Sequence, residues 1–371
     1  MKTQLIILLG ISLTVCAHAS VPSDKVFKTK DYSFKVETLT SQDDVIWGFD
    51  FVSADELIFT ERGGQLKLLN LKTKKIKPVS GAPSVWAKGQ GGLLDVAVNP
   101  LKKNQVYLSF SNPSGKDKAS TAIGVGTLSG EKLSEFKKIF EAFDANDETI
   151  HFGSRIIFDE KGHIYFSVGD RDERKKAQDL GFHNGKIMRL KADGSVPEDN
   201  PFIKNKAAKP EIWSLGHRNP QGLTRDPTTG KIWEAEFGPR GGDELNLIRP
   251  GENYGWPKVT YGKEYWGPSI GVKEQAGFTA PVAYWVPSIS PSGLMFYDGK
   301  LFPKWNGHIF LANLSGAHIR RLKIENDQVT EQEELLADFG IRFRQIKVGP
   351  EGAIYFSTDG GELARIIPVS N

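Results

Sequence analysis

Apolar and polar positions along the chain fall into one recurring phrase: a β-rich run, a turn of Asp, Asn, Pro or Gly, then a second β-rich run. The clearest copies are Ile156–Asp170 (IIFDEKGHIYFSVGD) and Ile346–Gly360 (IKVGPEGAIYFSTDG). Looser copies are Gly48–Arg62, Val96–Ser111, Leu223–Gly238 and Leu294–Leu314. A further short strand is expected after each copy, such as Lys186–Leu190 (KIMRL) and Glu362–Pro368 (ELARIIP). A strand–turn–strand unit cannot bury both faces alone, so the copies must pack on one another. Six such units, spaced roughly 45–80 residues apart, predict an all-β fold, a six-bladed β-propeller with four-stranded antiparallel blades. Helical periodicity is weak throughout. Glu131–Phe143 is the best helical candidate, with a strand and loop as the alternative.

No Ser/Pro linker or charge run divides the chain, so residues 20–371 are expected to form one closed propeller after a leader at 1–19. That leader has Lys2, an apolar stretch Leu5–Val15 and the small-x-small site Ala17-His18-Ala19, the pattern of a secretory signal. Its apolar stretch is shorter than the about 20 residues that span a bilayer, and no second stretch reaches that length, so the mature protein is expected to be exported, periplasmic or secreted. Lipid attachment at Cys16, the one cysteine, is the alternative. A net charge of +3 without any basic block argues against a nucleic-acid partner. Two insertions interrupt the repeats. Ser195–Ile212 carries three prolines, and Gly251–Pro281 carries Tyr254, Trp256, Tyr261, Tyr265, Trp266 and Phe278. Aromatic loops over a scaffold either shape a cleft or simply pack themselves down.

The phase of the repeats locates a site. Stepping back from the central turn of each copy reaches Gln90, His151, Arg218 with Asn219, Ser290, and Arg342 with Arg344. These positions lead into the first strand of each blade, the strand that lines a propeller's axis. Polar groups gathered in one concavity mark a ligand site. Several arginines with few carboxylates suit an anionic ligand, because guanidinium pairs bidentately with carboxylate or phosphate. The segment Glu236–Glu244 follows a predicted inner strand, and its glycines leave carbonyls free to face a hard cation such as calcium. A tight turn explains Gly-Pro and Gly-Gly equally well.

These phrases together resemble the soluble, pyrroloquinoline quinone (PQQ)-dependent aldose sugar dehydrogenases of the glucose/sorbosone dehydrogenase family. The matching segments are Gly89–Pro100 (GQGGLLDVAVNP), His151–Asp170, Ala177–Leu190 (AQDLGFHNGKIMRL), Asp193–Phe202, Glu211–Leu223 (EIWSLGHRNPQGL), Gly238–Ile248 (GPRGGDELNLI), Asn253–Pro257 (NYGWP) and Arg342–Tyr355. The resemblance covers most of the chain, in order. It implies PQQ and Ca²⁺ as cofactors, an aldose as substrate, an aldonolactone as product and an external electron acceptor, in a monomer or homodimer. By resemblance, His151 is the base that takes the anomeric hydroxyl proton while hydride passes to the quinone. Arg218 matches a catalytic residue whose guanidinium lies against the quinone and balances charge developing on its oxygens, and Arg218, Asn219, Gln90, Arg342 and Arg344 match cofactor contacts. The carbonyls of Gly238 and Pro239 match ligands of the PQQ-bound calcium, and Glu244 and Tyr254 match a second calcium site.

Four positions depart from the family pattern. Ser315 stands where a lysine is common, Phe237 where a histidine precedes Gly-Pro, Gln345 where an aspartate follows the paired arginines, and Ile150 where some members have aspartate. Arg320 or Arg321 is expected to replace the missing lysine. The alternatives are a calcium-dependent lactonase on the same fold, or a carbohydrate-binding propeller that has lost its cofactor.

Overall fold

The computed structural model describes residues 21–369. The leader at 1–19 and Cys16 lie outside these residues. Six antiparallel sheets follow one another along the chain. Blade 1 is built from Ile46–Phe51, Glu56–Glu61, Leu66–Asn70 and Ile76–Pro78, and blade 2 from Leu93–Val98, Gln105–Pro113, Ala119–Ser129 and Lys132–Glu141. Blade 3 holds Ile156–Phe158, Ile164–Val168, Lys186–Leu190 and Ile212–Leu215; blade 4 holds Pro220–Arg225, Ile232–Glu236, Asp243–Ile248 and Ala283–Trp285. Blade 5 holds Pro291–Phe296, Ile309–Asn313, Ile319–Glu325 and Gln328–Leu335. Blade 6 begins with Phe343–Val348, Ile354–Thr358 and Glu362–Pro368. Each of the six phrases read from the sequence is the inner hairpin of one blade.

The first strand of every blade touches the first strand of the next, and that of blade 6 touches that of blade 1. That closed circuit makes a propeller, with the first strands around the axis. Alternation along each strand then sends successive side chains to opposite neighbours. In the second strand of blade 2, Val106, Leu108 and Phe110 pack toward blade 1, while Tyr107 packs toward blade 3. In blade 6, Ile354 and Phe356 face blade 5 while Tyr355 faces blade 1. Each interface between blades thus owns one apolar cluster, which explains why the inner strands are apolar on both faces. Burying one such side chain contributes about 1.5–3 kcal/mol.

One feature was not read from the sequence, and one open alternative is decided. Blade 6 is completed by the N-terminal strand Ser33–Ser41, paired antiparallel with Glu362–Pro368, and Phe27–Lys28 adds a short fifth strand outside it. Its buried Phe34 and Val36 alternate with the more exposed Ser33 and Lys35, a pattern available in the sequence. Tying both chain ends into one blade closes the ring. The helical candidate Glu131–Phe143 is instead the outer strand of blade 2, where Leu133 and Phe140 bury against the blade. Among the described residues the helical segments are three short 3₁₀ turns, the longest at Arg174–Gln178. No described helix is long and apolar enough to cross a membrane.

Candidate active site

At one mouth of the axis lies a cavity of about 480 Å³ whose wall includes Gln90, His151, Arg218, Gly238, Pro239, Ser290, Arg342 and Arg344. The repeat phase therefore brought together residues from five blades. Blade 1 adds Val45, Trp47 and Arg62. Below, the axis is plugged by the buried pair Arg155–Asp95 at 2.8 Å, with Trp47 against the Arg155 guanidinium at 4.5 Å. Arg155 also bonds the carbonyls of Gln221 and Ser292, so two more blades hold the plug. The plug gives the cavity a floor.

His151 is 4% exposed and sits in a left-handed backbone conformation just before the first strand of blade 3. Its N–H donates to Gln90 Oε1 at 2.8 Å. The turn that holds it needs Gly169, because a Cβ there would lie 2.0 Å from the His151 carbonyl. The imidazole Nδ1 lies 2.7 Å from Oδ1 of Asp170, a fully buried carboxylate. That contact assigns the proton to Nδ1 and leaves Nε2 as the free acceptor at the cavity. Burial pushes His151 below the usual histidine range, aided by the Arg218 charge and opposed by Asp170. Burial also pushes Asp170 up, but His151, Arg218 and the Trp256 N–H outweigh it and hold the carboxyl below its ordinary range.

Arg218 is anchored through its backbone. Its N–H donates to Glu236 Oε2, and its carbonyl accepts the Asp170 N–H at 2.7 Å. Its Nη1 donates to the carbonyls of Phe237 and Gly238 at 3.1 and 3.0 Å. Its buried Nε has no partner. Asn219 is fully buried behind it and does not reach the cavity wall; Oδ1 accepts from Gly153 N, and Nδ2 is unsatisfied. Of these two atoms only the Arg218 Nε belongs to a cavity-lining side chain, and an unpaired guanidinium donor in an arginine-rich cavity suits an anionic, oxygen-rich ligand. Gly238 is required: a Cβ there would meet the Gly241 and Gly242 carbonyls at 2.2 and 2.4 Å. This crowding of carbonyl oxygens suits a hard cation.

On the opposite wall, Arg342 Nε and Arg344 Nε bind the two oxygens of Asp359 at 2.9 and 2.8 Å. Burial pushes Asp359 up, and the two arginine charges more than offset it. Arg344 also bonds Gln221 Oε1 and Ser292 Oγ, so its guanidinium is largely committed. Arg342 is half exposed and bound through Nε alone, which leaves it the freer of the two. Ser315 lies behind Ser290, its hydroxyl 2.7 Å from the Ser290 Oγ. Arg320 and Arg321 do not replace the missing lysine. Arg320 is spent on Glu334 and Gln332, and Arg321 on Glu331, Glu333 and His308, all toward the outer strand of blade 5 or its inner neighbour. The cation that lines the cavity instead is Arg62, at the close of the first repeat, which bonds the Gly89 carbonyl. Its position at a repeat's end, where Asp170 and Gly360 stand in others, was the signal available.

Glu244 and Tyr254 share a small recess beside the cavity with Glu236 and Trp256. The Tyr254 hydroxyl is spent on Leu247 O at 2.6 Å and Arg249 N at 2.9 Å, so a cation would meet only its carbonyl. Among the described residues, the ligand atoms gathered within 4.8 Å of one another belong to His217, Glu234 and Glu236. Glu234 and Glu244 share the Asn246 amide. Burial, with the neighbouring Glu236 charge, raises both carboxyls well above their ordinary range. The buried Glu234 Oε1 and Asn246 Oδ1 have no partner. A cation would satisfy these oxygens.

A propeller whose polar mouth presents a carboxylate-backed imidazole and several arginines, with Asp359 as the carboxylate of its lining, suits an enzyme acting with an anionic ligand better than a hydrolase with an acidic channel. The chain belongs to the Glucose / Sorbosone dehydrogenase family, whose signature matches residues 43–366. It is 39% identical over 343 residues to the aldose sugar dehydrogenase YliI of Escherichia coli, covering 90% of this chain and 92% of that one. It is 27% identical to quinoprotein glucose dehydrogenase B of Acinetobacter calcoaceticus, covering 94% and 90%. The apo structure of the soluble E. coli aldose sugar dehydrogenase superposes with a TM-score of 0.87 at 39% identity over 91% of this chain and all of that one. The PQQ-bound aldose sugar dehydrogenase of Streptomyces coelicolor superposes with a TM-score of 0.74 at 25% identity, over 95% of this chain and all of that one. The protein is a sugar dehydrogenase, an oxidoreductase.

Proposed function

We propose that the protein oxidises aldoses at the anomeric carbon to aldonolactones, with PQQ and calcium in the axial cavity. The observation that carries this reading is the His151–Asp170 pair at 2.7 Å on the wall that also presents Arg218. A bound PQQ would supply the hydride acceptor for the anomeric carbon. His151 Nε2 takes the hydroxyl proton, and Asp170 stabilises the imidazolium that results. Arg218, on the same cavity wall, would offset negative charge developing on the cofactor. Arg342 and Arg62 pair with cofactor carboxylates, Gln90 fixes the His151 backbone, and the buried Asn219 amide supports this wall from behind. The Gly238 and Pro239 carbonyls would hold the calcium, and a second calcium would be held by Glu244, its acidic neighbours and the Tyr254 carbonyl. Electrons leave to an external acceptor, and the leader at 1–19 directs export.

The test adds PQQ and calcium to the purified apoprotein and follows dye reduction with an aldose panel. Sugar-dependent reduction requiring both additions is expected. Lactone hydrolysis without PQQ, or sugar binding without turnover, would overturn the reading. The cavity's one carboxylate, Asp359, is neutralised by two arginines, which argues against the lactonase.

A further inference from the structure

Trp256 comes from the long insertion of blade 4, yet its indole N–H reaches across to blade 3 and donates to Asp170 Oδ2 at 2.7 Å. The other oxygen, Oδ1, faces His151 Nδ1 at 2.7 Å and accepts the Asp172 N–H at 2.9 Å. With both oxygens occupied, the buried carboxylate cannot turn about its Cβ–Cγ bond. The imidazole therefore keeps one tautomer and one plane. The indole is itself fixed. Its backbone N–H donates to the Gly216 carbonyl at 2.9 Å, its own carbonyl accepts from Gln178 Nε2 at 2.8 Å, and it is 4% exposed. Its ring faces the Arg218 guanidinium at 5.4 Å and that of Arg174 at 5.6 Å. Arg174 in turn pairs with Glu264 of the same insertion at 2.5 Å. One side chain thus touches both the support of the base and the cation beside it.

We propose that Trp256 is a positioning residue, whose N–H locks the Asp170 carboxylate so that His151 presents Nε2 to the sugar, and whose ring backs Arg218. This rests on the reading of His151 as the base. The aromatic insertion is then a brace for the proton acceptor as well as a wall of the cleft.

The test compares Trp256→Phe, which keeps an aromatic ring but lacks the N–H, with an isosteric indole analogue at 256 carrying sulfur in place of that N–H. In the PQQ- and calcium-loaded enzyme, kcat is expected to fall at least about tenfold, with KM and PQQ affinity within about twofold. In the apoprotein, ¹⁵N-histidine NMR, assigned through the signal lost in His151→Gln, is expected to show one Nδ1–H tautomer for the parent and a mixture for both variants. This second measurement needs no turnover, so it stands even if sugar oxidation is not found. If Trp256→Phe folds poorly, the isostere decides. A parental kcat, or an unchanged His151 tautomer in the isosteric variant, overturns the proposal.

Discussion

The two walls of the cavity are built differently. On the blade 3–4 wall, His151 is 4% exposed, and its Nδ1, both Asp170 carboxylate oxygens and the Trp256 N–H all have partners within 2.7–2.9 Å. On the blade 5–6 wall, the Arg342 side chain is 51% exposed, Ser315 replaces the family lysine, and the one carboxylate is shared by two arginines. The first wall is rigid, as the proposed proton transfer would require; the second is a looser cationic rim, as the proposed anionic cofactor would require. Chemistry needs fixed geometry, because a small misplacement of a base costs more than a misplaced surface charge. Anion binding tolerates slack, because an exposed ion pair contributes only about 0–1 kcal/mol.

Four changes would break or sharpen that contrast. The largest effect is expected from His151→Ala, which should lower kcat by about 10²–10⁴-fold while PQQ titration stays within threefold of the parent; near-parental turnover would remove the base from this wall. Arg218→Lys should lower kcat by about a hundredfold and weaken PQQ as well, since a lysine ammonium cannot lie flat against a planar cofactor. Stopped-flow reduction and fluorescence titration separate the two losses. On the loose wall, Ser315→Lys should tighten PQQ by no more than about fivefold, as an exposed ion pair contributes about 0–1 kcal/mol, and leave kcat unchanged. A rise in kcat there would mean that the rim takes part in chemistry. The smallest effect concerns calcium: it should raise the apoprotein Tm by a few degrees, and Glu244→Gln should abolish most of that rise.

The pH dependence follows from the rigid wall alone. Burial favours the neutral imidazole, and only neutral His151 accepts a proton. The acid limb of kcat/KM should therefore fall below the ordinary histidine value near about 6.5. Activity limited by a group titrating above that value would place the base elsewhere.

The blades were legible because a strand that packs on both neighbours must be apolar on both faces, and its turn must be polar. The convergence of Gln90, His151, Arg218, Ser290 and Arg342 was legible for the same reason: equivalent positions in a ring share one axis. What escaped the sequence comes from outside the period. Asp170 closes a repeat but faces the base of its own blade, and Trp256 reaches the site from an insertion whose path no periodicity sets. Arg320 and Arg321 were expected at the cavity, but the register of Ile319–Glu325 with Gln328–Leu335 aligns them with Glu334 and Glu333. Ser33–Ser41 escaped because it closes blade 6 from the far end of the chain.

On the proposed reading, one mouth of the ring holds cofactor and base together. A crystal structure of the protein soaked with PQQ and calcium tests it most directly. The account predicts the quinone against the Arg218 guanidinium, calcium on the Gly238 and Pro239 carbonyls, and His151 Nε2 facing the open side of the cofactor. Cofactor density elsewhere, or an imidazole turned away from it, would contradict the account.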